Sequence, residues 1–180
     1  GSLSGDNSDA FGFLAHLDQT ASGWSKTKPA VVLGAGGAAR AVCFALLQAG
    51  VPEIRLTNRT LDRAEALAAA NGATVRAEPW QTRDDLMAGA GLLVNTTSLG
   101  MHGQPPLDVR LDALPADAVV NDIVYVPLET PLLAQARARG LRVVDGLGML
   151  LHQARPGFER WFGHRPEVTP ALYAAIVKDL

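Results

Sequence analysis

Cysteine is almost absent. Cys43 is the sole example in 180 residues, which excludes an internal disulfide and any cysteine-rich metal centre, and no other metal site is expected. Its apolar neighbours mark it as a buried packing thiol rather than a nucleophile. Lysine is scarce too, at Lys26, Lys28 and Lys178 alone. No apolar run approaches the ~20 residues of a membrane span, and no basic-then-apolar leader opens the sequence. The expectation is a cytoplasmic protein without a membrane partner. Positive charge is not in excess: 16 basic against 18 acidic residues leave a net charge of −2, which argues against a nucleic-acid partner. Internal repeats and low-complexity tracts are missing. What is present is ordinary for a globular chain, with 48% hydrophobic and 19% charged residues, and 180 residues suffice for one domain with a full core and helical extensions.

The most informative stretch is Pro29-Ala-Val-Val-Leu-Gly-Ala-Gly-Gly-Ala-Ala-Arg40, continuing as Ala41-Val-Cys-Phe-Ala-Leu-Leu-Gln48. Four apolar residues, Ala30 to Leu33, run into Gly34, Gly36 and Gly37, and an alanine-rich helical pattern follows. A short apolar run bounded by glycine reads as a buried parallel strand. The spacing Gly34-x-Gly36-x-x-Ala39 is that of a dinucleotide-binding turn. Gly34 permits the sharp turn, Gly36 lets the backbone approach a pyrophosphate, and Ala39 keeps the helix against the strand. The first free amides of the helix, with the positive end of its dipole, then face the phosphates.

Upstream, residues 1–8 are polar and rich in Gly and Ser. A helix is expected from Asp9, with Ser8 or Asp9 as N-cap and Phe11, Leu14 and Leu17 on one face, weakened by Gly12. Asn7 and Asp9 at its mouth read, from spacing alone, as capping residues. Residues 21–29 are a loop. Downstream, Gly50-Val-Pro52 stops the first long helix, and residues 53–57 alternate as a strand that ends at Asn58-Arg59-Thr60. The distance from Gly34 to Asn58 is that at which a dinucleotide fold places its ribose-reading residue. An acid there would suit NAD. This chain has Asn58 and Arg59 instead, with Arg63 one turn into the next helix. Singly, each arginine reads as a solvated surface residue. Together they favour the 2′-phosphate of NADP, which guanidinium groups grip with forked, charge-assisted bonds.

Further on, the pattern predicts a helix over 61–70, a weak strand over 73–77, a packing role for Trp80 and a short helix over 82–88. A buried strand over 91–95 runs into Asn95-Thr-Thr-Ser-Leu-Gly-Met101. The hydroxyls of Thr96, Thr97 and Ser98 suit a ribose or carboxamide, or belong to an ordinary turn. A third buried strand spans 118–124. Thr130 caps a helix started by Pro131 and stopped by Gly140, and a short strand over 142–144 leads into Asp145-Gly-Leu-Gly-Met-Leu-Leu-His-Gln153. Gly146 and Gly148 allow backbone to approach a ligand closely. Gln153 is either a substrate contact or a surface amide. Thr169 and Pro170 start a final amphipathic helix, residues 171–178. Four or more β-α units predict a doubly wound, mainly parallel α/β sheet with helices on both faces and a helical extension at the carboxy end.

The blocks Gly5-Asp-Asn-Ser-Asp-Ala-Phe-Gly-Phe13, Gly34–Arg40, Asn58-Arg-Thr60, Asn95–Met101, Asp122-Ile-Val-Tyr125 with Thr130-Pro-Leu-Leu133, and Asp145–Ala154 occur in this order in the shikimate dehydrogenase family, which the whole chain resembles. That resemblance implies a Rossmann-like NADP-binding domain over residues 1–180, in which residues 1–20 join a preceding substrate domain. The family reduces 3-dehydroshikimate to shikimate with NADPH in aromatic amino-acid synthesis. By position, the resemblance gives Asp9 the role of catalytic, substrate-binding aspartate. It sets Gly34, Ala35, Gly36, Gly37 and Ala38 at the pyrophosphate, and Asn58, Arg59, Thr60 and Arg63 at the 2′-phosphate. Ile123 and Gly146 fall at the nicotinamide, and Tyr125 and Gln153 at shikimate. Ser8 stands where the family usually has threonine, and Ile123 where it often has methionine.

The family's catalytic lysine belongs to the amino-terminal substrate domain, and none of the three lysines here matches its motif. Asp9 as a carboxylate accepts a proton but has none to give a developing alkoxide, so the isolated chain is expected to be catalytically crippled. Three alternatives remain. One is a quinate-using relative, and another is a non-catalytic NADP-binding module. The third, glutamyl-tRNA reductase, shares a Gly-rich turn and an Asn-Arg-Thr, but lacks the Asp-Gly-Leu-Gly-Met block and needs a cysteine nucleophile.

Overall fold

The computed structural model describes residues 7–180; Gly5 and Asp6 of the opening block lie outside the described residues. Six strands form one parallel sheet in the order β3-β2-β1-β4-β5-β6. They are β1 (Ala30–Leu33), β2 (Ile54–Asn58), β3 (Val75–Pro79), β4 (Leu92–Asn95), β5 (Val119–Asp122) and β6 (Arg142–Val144). The helices are α1 (Asp9–Thr20), α2 (Gly37–Gln48), α3 (Leu61–Asn71), α4 (Pro131–Ala138), α5 (Leu147–Phe162) and α6 (Pro170–Val177). Strand order runs outward from β1 to β3, then restarts beside β1 with β4. The switch point between β1 and β4 is where an open sheet of this kind leaves a crevice beyond its strand ends.

The four residues of β1 are buried throughout, and alternate side chains enter different cores. Ala30 and Val32 join Phe13 and Leu17 of α1, Val42, Cys43 and Leu46 of α2, Leu67 of α3 and Met149 of α5. Val31 and Leu33 face Leu132, Leu133 and Ala136 of α4. Each such fully buried aliphatic side chain contributes about 1.5–3 kcal/mol. The second face is also covered by chain without a long helix. The connection from β4 to β5 lays down Leu107, Val109, Leu111 and Leu114, and two 3-10 turns, Trp80–Thr82 and Asp85–Met87, stand where a short helix over 82–88 is expected. Burial pushes the Cys43 thiol up to about 12, so it packs as an inert apolar group.

Several local expectations are corrected. Strand β3 begins two residues later than the pattern suggests, because Ile54 pairs with Val75 and fixes the register. Ser8 is the N-cap residue of α1, as one of the two expectations had it, but it makes no side-chain cap bond; Asn7, also read as a capping residue, accepts the Asp9 amide on its Oδ1 at 2.7 Å. Phe11 is exposed, while Phe13, His16 and Leu17 are buried, because α1 turns toward α5. Gly12 is not a defect. A Cβ there would lie 2.6 Å from the Met149 carbonyl and 2.7 Å from Gln153 Cβ, so glycine lets α1 and α5 touch. Helix α6 buries no residue. It is held by the Thr169 cap on the Leu172 amide and by the Tyr173 hydroxyl, which donates to Asp145 Oδ2 at 2.8 Å.

Candidate functional site

At the switch point, Gly34 has φ +106°, and a Cβ would sit 2.7 Å from Thr96 Oγ1. The turn therefore requires glycine for both reasons. Gly36 and Gly37 are exposed, with nothing within 4 Å of where a Cβ would point. Gly36 is the N-cap of α2, so the helix presents its first amides, which have no partner inside the helix, to open space. Ala39 is fully buried and seats α2 on the sheet. The turn has the form of an anion cradle.

Around it run three contiguous hollows. The first, of about 260 Å³, is walled by Gly34, Asn58, Arg59, Arg63, Trp80 and Thr97, among others. The second, of about 480 Å³, adds Arg40 to Gly36, Gly37 and Arg63. The third is bounded by Asn7, Ala10, Gly37, Arg40 and Phe44. Arg59 and Arg63 are exposed at the rim. Asn58 turns inward on itself, its Nδ2 donating to the Thr60 carbonyl at 2.9 Å, which shapes the turn that carries Arg59. Among the described residues no carboxylate lines the first two hollows. Sequence reasoning passed over two wall residues. Arg40 is a cation at the phosphate turn, signalled only by its place at the end of the Gly-rich block, and Trp80 stands one residue beyond β3.

The threonines of the β4 loop are committed to protein partners. Thr96 Oγ1 donates to the Leu33 carbonyl at 2.7 Å, and Thr97 Oγ1 donates to Asn95 Oδ1 at 2.7 Å. Their hydroxyls fix the switch point, and Thr96, Thr97 and Ser98 all line the hollow. Beneath lies a buried network that the sequence did not announce. Asn95 Nδ2 donates to Asp122 Oδ1 at 2.9 Å, and Thr130 Oγ1 donates to Asp122 Oδ2 at 2.7 Å while accepting the Leu133 amide. The Val124 amide also reaches Asp122 Oδ1, at 3.1 Å.

Asp122 is fully buried. Burial pushes its carboxyl up to about 6, against the pull of the Thr130, Val124 and Asn95 hydrogen bonds. A carboxyl raised in the folded state favours folding in its protonated form. Its share of stability is present below about pH 4 and is lost as pH rises through about 6, on the order of 3 kcal/mol. Asp122→Asn should therefore flatten the dependence of unfolding free energy on pH between 4 and 7, as read by urea melts. A slope equal to that of the wild type would refute the assignment.

On the other side of the switch point, Asp9 opens α1 and is partly exposed beside the third hollow, next to Asn7 and Ala10. Ile123 and Tyr125, both partly exposed, follow β5, and Gln153 lies on α5 against Gly12 of α1. Gly146 and Gly148 each meet close protein contacts. A Cβ on Gly146 would fall 2.1 Å from the Ile123 carbonyl, and one on Gly148 would fall 2.0 Å from the His16 ring. Both glycines let backbone lie close to protein.

Asp145 caps α5, its Oδ1 accepting the Leu147 amide at 2.9 Å. Burial works to raise this carboxyl, yet the His16 imidazole, the Tyr173 hydroxyl and the Gly148 amide together hold it below the usual carboxylate value. Burial and the charges of His16 and Arg155 push His152 down to about 4, and its Nε2 lies 2.6 Å from Gln19 Oε1. This cluster ties α1, α5 and α6 together outside the cleft. The lysines stand elsewhere. Lys26 and Lys28 lie before the amino end of β1, paired with Asp18 at 3.7 Å and Asp117 at 2.6 Å, and Lys178 follows α6. Among the described residues no cluster of His, Cys, Asp and Glu is suited to a metal, and no helix is long and apolar enough to cross a membrane.

Residues 16–101 match the model of the family described as shikimate / quinate 5-dehydrogenase, and residues 146–174 match that of the shikimate 5′-dehydrogenase C-terminal domain. Among curated proteins, shikimate dehydrogenase (NADP(+)) of Nitrobacter hamburgensis is 61% identical over 99% of this chain, and that of Mesorhizobium japonicum is 61% identical over 100%. The chain spans only 62% and 64% of those relatives' lengths. Among solved structures, quinate dehydrogenase from Corynebacterium glutamicum in complex with NAD is similar at a TM-score of 0.84 and 34% identity, covering 91% of this chain and 60% of that one. Shikimate 5-dehydrogenase from Thermus thermophilus in complex with NADP(H) and shikimate gives a TM-score of 0.76 at 42% identity, covering 89% and 58%.

Proposed function

Since the chain belongs to the shikimate / quinate 5-dehydrogenase family, we propose that it forms the NADP-binding portion of an enzyme that reduces 3-dehydroshikimate to shikimate. Residues 1–180 act as one cofactor domain, and residues 1–20 link it to a substrate domain corresponding to the unmatched third of its relatives. The observation that carries the cofactor choice is the turn after β2, where Arg59 and Arg63 stand in a hollow with no carboxylate. A 2′-phosphate there meets two guanidiniums and no like charge.

The amides at the start of α2, with Arg40 beside them, hold the pyrophosphate. Asn58 and Thr60 shape the turn that presents Arg59. Ile123 and the chain at Gly146 border the nicotinamide, and bound NADPH supplies the hydride. Asp9 accepts a hydrogen bond from a substrate hydroxyl and orients the ring, with Tyr125 and Gln153 as further contacts. Reduction of a ketone also needs a proton, and no lysine of this chain stands at the cleft. The family resemblance implies that the proton donor, a lysine, belongs to the substrate domain. The buried thiol of Cys43 suits a reducing cytoplasm, where aromatic amino-acid synthesis takes place.

The test has two arms. The 180-residue chain should bind NADPH at least tenfold more tightly than NADH in a calorimetric titration. It should oxidise NADPH with 3-dehydroshikimate only when supplied with a substrate domain from a relative. Near-normal turnover by this chain alone, or equal affinity for the two cofactors, would overturn the respective half of the proposal. Quinate in place of shikimate is the second reading, favoured by the similarity to a quinate dehydrogenase. Oxidation rates of the two alcohols by the reconstituted protein separate the readings.

A further inference from the structure

We infer that Trp80 is the preformed wall on which the adenine of the dinucleotide stacks; this rests on the dinucleotide reading above and adds a residue to it. Topology is the first support. Asn58 pairs in register with Pro79, so the residue following Pro79 emerges beside the turn that carries Arg59. The indole accordingly lines the hollow of about 260 Å³ that holds Gly34, Asn58, Arg59, Thr97 and Leu99. That hollow extends from the phosphate turn past the two arginines, the place a nucleoside must occupy if its 2′-phosphate meets Arg59 and Arg63.

The second support is that the indole is held in position without any ligand. The Arg83 guanidinium lies 5.2 Å from the ring centroid, a cation–π distance. Arg83 is itself anchored, with Nε donating to the Asp108 carbonyl at 2.8 Å, Nη1 to the Trp80 carbonyl at 3.2 Å and Nη2 to Asp108 Oδ2 at 3.3 Å. Trp80 also packs against the second core, as Leu99 does. A side chain fixed in this way loses little freedom when a base arrives, and the flat face of a purine matches the flat wall it offers.

Trp80→Phe keeps a π face and Trp80→Leu keeps apolar bulk without one, so the pair separates stacking from filling. Titration with 2′,5′-ADP, which carries the adenosine end alone, should show affinity within about threefold of the wild type for Phe and a loss of about tenfold for Leu. NADPH should lose the same factor. Indole fluorescence should be quenched by 2′,5′-ADP in the wild type, and that component should vanish in Trp80→Phe, since Trp24 is buried and Trp161 is solvent-exposed. A folded Leu variant that binds 2′,5′-ADP like the wild type overturns the assignment of Trp80 alone. A wild-type protein that ignores both 2′,5′-ADP and NADPH overturns the dinucleotide reading and this inference with it.

Discussion

The double variant Arg59→Ala/Arg63→Ala should bind NADPH about 100-fold more weakly than the wild type, with NADH affinity changed by no more than about threefold. Both side chains are exposed at the rim of the hollow beyond β2, so their removal leaves no buried group unpaired and should not disturb the fold. A hydrogen bond to a charged group is worth about 1.5–3 kcal/mol, and solvent at the rim trims that figure, so two such bonds give roughly two orders of magnitude. The loss should shrink at high salt, because screening already weakens the wild-type contacts. Arg40 lines the adjoining hollow with Gly36 and Gly37, which the proposed function gives to the pyrophosphate that both cofactors carry. Arg40→Ala should therefore weaken NADPH and NADH alike. Equal losses for the two cofactors in the Arg59/Arg63 double variant would show that these arginines do not read the 2′-phosphate.

Gly146→Ala should destabilise the domain by at least about 3 kcal/mol and abolish cofactor binding in whatever remains folded. One added carbon would lie 2.1 Å from the Ile123 carbonyl oxygen and 2.8 Å from that of Val124. Both obstacles are backbone, fixed by β5 and by the Ile123 amide donating to the Asn95 carbonyl, so neither can swing aside as a side chain would. Relief requires moving the start of α5 away from the end of β5, and Ile123 moves with it. Gly148→Ala presents a contrast. Its obstacle is the His16 ring at 2.0 Å, so Gly148→Ala/His16→Ala should recover part of the lost stability, whereas no single truncation rescues Gly146→Ala. Thermal melts of the three variants decide this, and a Gly146→Ala protein with wild-type midpoint would refute the steric argument.

These glycines show which features a sequence reveals. Gly34 was legible because its turn is local: the strand before it, the helix after it and the spacing between them lie within a dozen residues. For Gly146 and Gly148, sequence revealed the need for a small residue but not what approaches them, because Ile123 and His16 lie more than 20 residues away. Strands β1, β4 and β5 followed from short apolar runs and β2 from alternation, whereas the polar β3 was only weakly marked, and the absence of an acid after β2 could be read directly. The buried face of α1 could not be read from its periodicity. Phe11 and Phe13 are equally apolar, and only the close packing of α5 on Gly12 makes Phe13 the core residue. Thr96 and Thr97 line the hollow, but hydroxyl chemistry is the same whichever partner takes it, so the sequence could not show that their protons go to the Leu33 carbonyl and Asn95.

The carboxylate of Asp122 gathers donors from three separate stretches: Asn95 at the end of β4, the Val124 amide after β5, and Thr130 at the head of α4. Asn95 and Thr130 in turn accept the amides of Thr97 and Leu133. These loop amides are thus enclosed by a side chain that cannot leave without exposing a fully buried acid. In deuterated solvent they should exchange as slowly as amides in the centre of the sheet, so that the loop after β4 and the head of α4 open together or not at all.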